Sequence, residues 1–436
     1  MSPPDAQSMV PPPSHGAKPD HDTLVFLGTY SDHSILPHWP RGGREGQGIT
    51  VARWAAAKDR LELLHTVPVV NPAFMKYHPT LNVLYVLSEC INTHGYLTAF
   101  AVDPAGAALT PLAPPLYMSG RSSCYISFDS DASHAVVANY WDGLLNVVSL
   151  DPSTGAPLAV VQELQQGRRK EWRQVVDRAD HMSNRQDGPH AHSAIFHPSY
   201  NWLFVPDLGD NGIHQYRYKD GRLTHEAFIA VAPGDGPRHF VFHPKLPVAY
   251  SGCELKSQVQ VFAVDDSEPS AVRPRINPVQ RLATLPEGWE GVNYVGEIKI
   301  DASGSHVYVS NRGHDSVAAF KVDPATGQLE RAGVDCVLGR CPRHFGLSAC
   351  GRYAVVGAQD SDLVRVFRLC PSTGRLTECL QELDAPTPNF VLFAPAHAAA
   401  AAAAAPHGAA DGASEAREHA ASGSVQRAAA VAVCAN

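Results

Sequence analysis

The sequence predicts an all-β protein: a seven-bladed β-propeller of four-stranded antiparallel blades, closed by N- and C-terminal segments that share one blade. Three observations carry this. One strand–corner–strand pattern recurs six times, its corner residues Pro79, Ser130, Pro198, Pro244, Ala302 and Ala349 standing 51, 68, 46, 58 and 47 residues apart. A third apolar run follows every copy, and a fourth often follows a DPATGQLE-type turn. The two ends of the array are half-units that complete each other, and closing the ring removes the edges an open array would expose.

In chain order, TLVFLGTYSD with GQGITVARW reads as strands two and three of a blade that lacks its first strand. Full copies begin at Asn71 (NPAFMKYHPTLNVLYVLSE), Ser122 (SSCYISFDSDASHAVVANY), His190 (HAHSAIFHPSYNWLFVPDL) and Gly236 (GPRHFVFHPKLPVAYSGCE). Two more begin at Tyr294 (YVGEIKIDASGSHVYVSNR) and Cys341 (CPRHFGLSACGRYAVVGAQ). Each alternates apolar and polar residues and turns at a His-Pro, Asp-Ser or Ser-Gly type corner. It then continues into a β-branched or aromatic run, the pattern of a β-hairpin. GYLTAFAV, LLNVVSL, GIHQYRY, SQVQVFAV, SVAAFKV and LVRVFRL supply third strands, and TPNFVLFAP at 387–395 is the missing first strand of the opening blade.

Residues 23–395 are therefore expected to form the propeller domain, at about 53 residues per blade. Outside it, 1–22 read as a disordered leader. The Ala-rich 396–436, poor in large side chains to bury, reads as a low-complexity tail. Two insertions, 35–47 and 167–186, interrupt the repeat and read either as lids or as plain exposed loops. A net charge of −8 provides no basic field for nucleic acid or an anionic membrane, and no apolar stretch is long enough to span a bilayer. Nine cysteines without a CxxC pair or a secretory signal point to reduced thiols and a cytoplasmic protein.

In a propeller blade the start of strand one and the end of strand two meet on one face. That topology gathers His190, His192, Arg238, His239, Glu297, Arg343, His344, Tyr125 and Asn71 from strand starts. Strand ends add Asp207, Asp210, Glu254, Asn311, Arg312, His314, Asp315, Gln359 and Asp360, all rimming one mouth of the channel. Blades four to seven supply the charges. Blades two and three supply Asn71, Phe74, Tyr125 and Asn139. A charged side opposite a neutral side suits an anionic, polyhydroxylated small molecule.

The strings NPAF…HP, NRQDGPHAHS, FVPDLGDN, GPRHFVFHP, GEIKID, SNRGHDS and PRHFGLSACGRY resemble the lactonase family of seven-bladed propellers, which contains cycloisomerase-type 6-phosphogluconolactonases and carboxymuconate cyclases. The resemblance covers roughly residues 23 to 395 in order. Two departures are visible: SGCE at 251–254 lacks the family's usual Asn before the Glu, and Lys299 stands where His is common. The resemblance implies hydrolysis of 6-phosphogluconolactone in the oxidative pentose phosphate pathway. It leaves a lactone-forming cyclase or a non-catalytic binding propeller as alternatives.

Lactone hydrolysis needs a base for water, donors for the oxyanion and an acid for the leaving ring oxygen. The expected assignment is His192 or Glu297 as base and His190 or Glu254 as acid. Arg238 and Arg312 face the carbonyl and phosphate, with His239, His314 and Arg343 as further substrate contacts. His190-x-His192 is also a metal-ligand spacing, but no carboxylate cluster of the calcium type is apparent on these blades, and the expectation is no metal and no cofactor. Asp207, Asp210 and Asn211 in PDLGDN are expected to bond their own turn.

Overall fold

The corners of the repeat are held by side chains that accept backbone hydrogen bonds. His78 Nδ1 accepts from the backbone N–H of Thr80 and Leu81 at 3.1 and 3.0 Å, and His243 Nδ1 from Lys245 and Leu246 at 3.0 and 2.8 Å. His197 Nδ1 accepts from Ser199 at 3.1 Å. Where the corner lacks His-Pro, Asp129 Oδ1 accepts from His134 and Asp301 Oδ1 from Ser305, both at 2.9 Å. The imidazole thus does the work of an Asx turn, and these histidines belong to the scaffold.

This computed structural model describes residues 21–38, 40–41, 43–167, 185–265, 275–395 and 397–398. Nearly all of the predicted leader and tail, and most of the 167–186 insertion, lie outside the described residues. The rest forms seven antiparallel sheets. Six are four-stranded; in blade two a fifth strand, Leu116–Tyr117, also pairs with Tyr96–Val102. The ring closes as the sequence predicts: Pro388–Phe393 pairs with Thr23–Thr29, with Phe26 opposite Leu392 and Gly28 opposite Phe390. Between blades one and seven, buried Trp54 packs on Tyr353 at 4.7 Å between centroids. Elsewhere Tyr250 Oη donates to the Gly327 carbonyl of the next blade at 2.8 Å, and Phe204 stacks on Phe240 at 5.9 Å.

The innermost strands share a feature that simple alternation does not predict. Pro237, Arg238 and His239 oppose only Cys253 and Gly252. The same extra residue occurs at Arg343 in blade seven, Ala73 in blade two, Cys124 in blade three and Asn389 in blade one. In blade six, Val295 to Ile298 oppose Asn311 to Val309. Blade four goes further: its ladder shrinks to Ile195–Phe196, preceded by an isolated bridge between Ala191 and Asp207. A bulge bends the strand and breaks the two-residue period, so neighbouring residues can face the same side.

Candidate active site

The bulges aim consecutive side chains into the channel. Arg238 with His239, and Arg343 with His344, line a narrow cavity of about 20 Å³ together with Phe74, Cys124, His192 and Phe390. Above it opens a chamber of about 550 Å³ that shares Cys124, His192 and Arg343. Its wall carries Arg41, Arg185, Arg312, Arg340 and Arg343 against Glu89, Glu254, Asp315 and Asp360. Pro37, His38 and Arg41 come from the 35–47 insertion, which therefore covers the mouth. The fate of the other insertion lies outside the described residues, apart from Arg185 and Gln186 at its end.

Glu254 follows the second strand of blade five and is almost fully buried. Its Oε1 lies 3.1 Å from Arg185 Nη2 and 3.0 Å from Arg312 Nη2, and its Oε2 lies 3.1 Å from Arg238 Nε. Burial opposes the charge of Glu254. The guanidinium groups of Arg185, Arg312, Arg238 and Arg343 outweigh it and hold the carboxyl well below the usual carboxylate range. Each arginine is anchored again: Arg238 Nη1 donates to the Gly296 carbonyl at 2.6 Å, Arg312 Nη2 to Val295 at 2.7 Å, and Arg185 Nε to Tyr140 Oη at 2.9 Å. The Arg238–Glu254 contact has ion-pair distance without hydrogen-bond alignment. Arg238 Nε and Arg312 Nε thus have no hydrogen-bond partner among the described residues. Fixed guanidinium groups such as those of Arg185 and Arg312, which line the chamber, suit an incoming anion.

The histidines sit beside this cage. His192 lines both cavities, and burial with the charges of Arg238, His239 and Arg343 keeps its pKa well below that of free imidazole. Its ring lies 5.1 Å from that of His239 and 5.0 Å from that of Tyr140. Glu297 Oε2 lies 3.0 Å from His239 Nδ1 and 3.0 Å from His344 Nε2, with Lys299 Nζ 3.8 Å from Oε1. Burial lowers His239 to about 4 and His344 to about 3, although Glu297 pulls both the other way. Lys299 thus supplies the positive neighbour at the position where the family commonly has His.

Three predicted site residues, Glu297, His190 and His314, are not among those lining either cavity. His190 stacks on Tyr140 at 4.8 Å, with Nε2 2.8 Å from Asp187 Oδ1 and Nδ1 3.1 Å from the Tyr140 carbonyl. His190 and His192 both pack against the Tyr140 ring, at 4.8 and 5.0 Å between centroids, but only His192 lines a cavity. His314 packs edge-on against Trp289 at 5.2 Å, and its Nδ1 meets Ser316 Oγ at 2.8 Å. Asn311 is likewise spent on Thr284 and Ser316. Asp207 bonds its own turn as expected, accepting from Asp210 N at 2.8 Å. Sequence reasoning missed Arg185 and Glu89. Glu89 accepts from Tyr30 Oη at 2.9 Å and from Ser122 Oγ, and places a carboxylate on the side expected to be neutral.

Residues 24–393 match the family model described as lactonase, 7-bladed beta-propeller. The chain belongs to this lactonase family. Its reaction class is lactone hydrolysis, a carboxylic-ester hydrolase activity. The lactonase is 30% identical over 378 residues to a 6-phosphogluconolactonase of Bacillus subtilis, an alignment covering 85% of this chain and 98% of the relative. A 6-phosphogluconolactonase of Formosa agariphila is 27% identical, covering 82% and 96%. Among solved structures, a periplasmic gluconolactonase of Pseudomonas aeruginosa superposes with a TM-score of 0.74 at 28% identity, covering 86% of the lactonase and 99% of that chain. No helix among the described residues is long and apolar enough to cross a membrane.

Proposed function

We propose that this lactonase hydrolyses 6-phospho-D-glucono-1,5-lactone to 6-phosphogluconate, the lactone step of the oxidative pentose phosphate pathway, in the cytoplasm and without a metal ion. One observation carries the reading: of the three arginines fixed on Glu254, Arg185 and Arg312 line the chamber and Arg238 the narrow cavity below it, and a neutral histidine, His192, lines both. A neutral imidazole can take a proton from water, whereas a protonated one cannot. In this reading water attacks the lactone carbonyl as His192 accepts its proton. Arg238 and Arg312 stabilise the oxyanion of the tetrahedral intermediate. The bond from the carbonyl carbon to the ring oxygen then breaks, and the proton held by His192 passes to that oxygen. Arg343, with Arg41 and Arg340 nearer the mouth, receives the phosphate. Glu254, ionised and saturated by arginines, acts as their counter-ion and not as the acid. Glu297 orients His239 and His344 below the reacting centre, in place of the base role considered for it.

The names of the relatives support the phosphorylated substrate. The test is loss of enzymically generated 6-phosphogluconolactone measured against its spontaneous hydrolysis, with gluconolactone and a muconolactone as comparison substrates. A rate far above background on the phosphorylated lactone, unchanged by exhaustive chelation, is the expected result. Activity confined to the muconolactone, or abolished by chelation and restored by zinc, overturns it.

A further inference from the structure

We propose that Asp207, Asp210 and His214 form a binding site for a divalent transition-metal ion of the zinc class on blade four, separate from the channel. None of the three lines either channel cavity. A carboxylate oxygen of each aspartate and an imidazole nitrogen of His214 all lie within 4.8 Å of one another. Zinc bonds of about 2.0–2.2 Å place neighbouring ligand atoms about 3 to 4 Å apart, so the group needs little movement to close on an ion. Two carboxylates and one imidazole suit zinc or a neighbouring first-row ion, whereas calcium takes six or more oxygen ligands.

The second observation is an orphaned atom. Asp207 is fully buried, and its Oδ1 accepts from the backbone N–H of His190 at 2.7 Å and of Asp210 at 2.8 Å. Its Oδ2 has no hydrogen-bond partner among the described residues. As a carboxylate it is a buried charge beside a second carboxylate. As a carboxylic acid its O–H has no acceptor. A cation resolves both states.

The surroundings fit a ligating histidine. His214 Nε2 faces Asp210 Oδ2 at 3.0 Å, and its Nδ1 lies 3.1 Å from His225 Nε2. With the metal on Nε2, Nδ1–H donates to His225, the outer hydrogen bond that fixes the tautomer of metal-bound histidines. With Nε2–H donating to Asp210 in the absence of metal, binding moves the single ring proton from Nε2 to Nδ1. Room exists as well: Asp210 and His214 border a cavity of about 630 Å³, and Gly167 on its wall would bring any Cβ within 2.3 Å of Asp210 Oδ2.

The experiment uses the full chain, stripped with a chelator and titrated with zinc alone by calorimetry. Cobalt(II) absorption gives a second readout. The expected result is one equivalent bound, a higher Tm, and visible cobalt bands. Asp207→Asn keeps the Oδ1 acceptor but removes the charge, and should abolish the tight equivalent. His225→Ala, at an exposed position, should weaken it about 10–100-fold. His192→Ala should leave zinc binding unchanged. No stoichiometric binding, binding undiminished in both Asp207→Asn and His225→Ala, or binding lost in His192→Ala overturns the proposal. It does not rest on the lactone reading: zinc here alters Tm and leaves the hydrolytic rate at moderate temperature intact.

Discussion

Glu254→Gln isolates the charge at the centre of the arginine cage while keeping its shape. The carboxylate has three guanidinium nitrogens at 3.0–3.1 Å and a side chain only 2% exposed, so solvent screens it little. At an effective dielectric of about 20 each contact is worth roughly 4 kcal/mol of gross attraction, most of it spent on desolvating the ions. Removing one partner leaves the others buried and mutually repelling, which costs about 3–5 kcal/mol. For a fold of roughly 370 residues the unfolding entropy is about 0.8 kcal/mol per kelvin, so Tm should fall by about 4–6 °C. Inorganic phosphate should restore part of that loss, because the uncompensated arginines become an anion site; at a hundredfold excess over Kd the recovery is about 2.7 kcal/mol. Calorimetric melts with and without phosphate measure both effects. A variant that melts within a degree of the wild type and ignores phosphate would refute the cage. A variant with unchanged Tm and abolished kcat would instead make Glu254 the acid.

Arg312→Ala should lower kcat/KM on the lactone by about thirty- to a thousand-fold, or about 2–4 kcal/mol. Arg312→Lys should restore little, since an ammonium cannot hold Glu254 and the Val295 carbonyl with one planar fork. Arg343→Ala should harm the phosphorylated lactone far more than gluconolactone; equal effects on both would place the phosphate elsewhere. Acid should destabilise the fold. His192, His239 and His344 have folded pKa values below the free-histidine value, so the unfolded chain binds the extra protons. Stability is then present above about pH 6.5 and lost as pH falls toward 4, by about 1.4 kcal/mol per pH unit for each histidine. Denaturant melts that stay flat between pH 7 and 5 would contradict this, and His192→Gln should reduce the slope by one proton. Deleting 388–393 should remove the closing strand and expose an edge, giving aggregates in light scattering that the full chain does not form.

The fold was legible because its punctuation is chemical. The His-Pro and Asp-Ser corners recur since a side-chain acceptor is needed at each turn, and those acceptors are visible as His78, His197, His243, Asp129 and Asp301. Glu254, Arg312, His192 and Arg238 were legible from position alone, as ends and starts of strands. His190 shares the Tyr140 ring with His192, but its ring nitrogens meet Asp187 and the Tyr140 carbonyl, partners that strand position does not reveal. Arg185 was hidden inside an insertion, where no repeat fixes position. Glu89 could have been found: it ends the Asn71 copy of the repeat as Glu254 ends the Gly236 copy.

The extra residue at the head of six of the seven inner strands gives the channel wall a vocabulary of adjacent pairs. Three consecutive blades write it in apolar and neutral letters, Asn389-Phe390, Ala73-Phe74 and Cys124-Tyr125; three others write Arg238-His239, Gly296-Glu297 and Arg343-His344. In these pairs the channel is therefore apolar and neutral on one semicircle and charged on the other, with the Glu89 carboxylate standing on the neutral side of the chamber above. Because a bulged residue lies outside the ladder, exchanging a pair re-addresses the wall to a different guest while the sheet behind it keeps its hydrogen bonds.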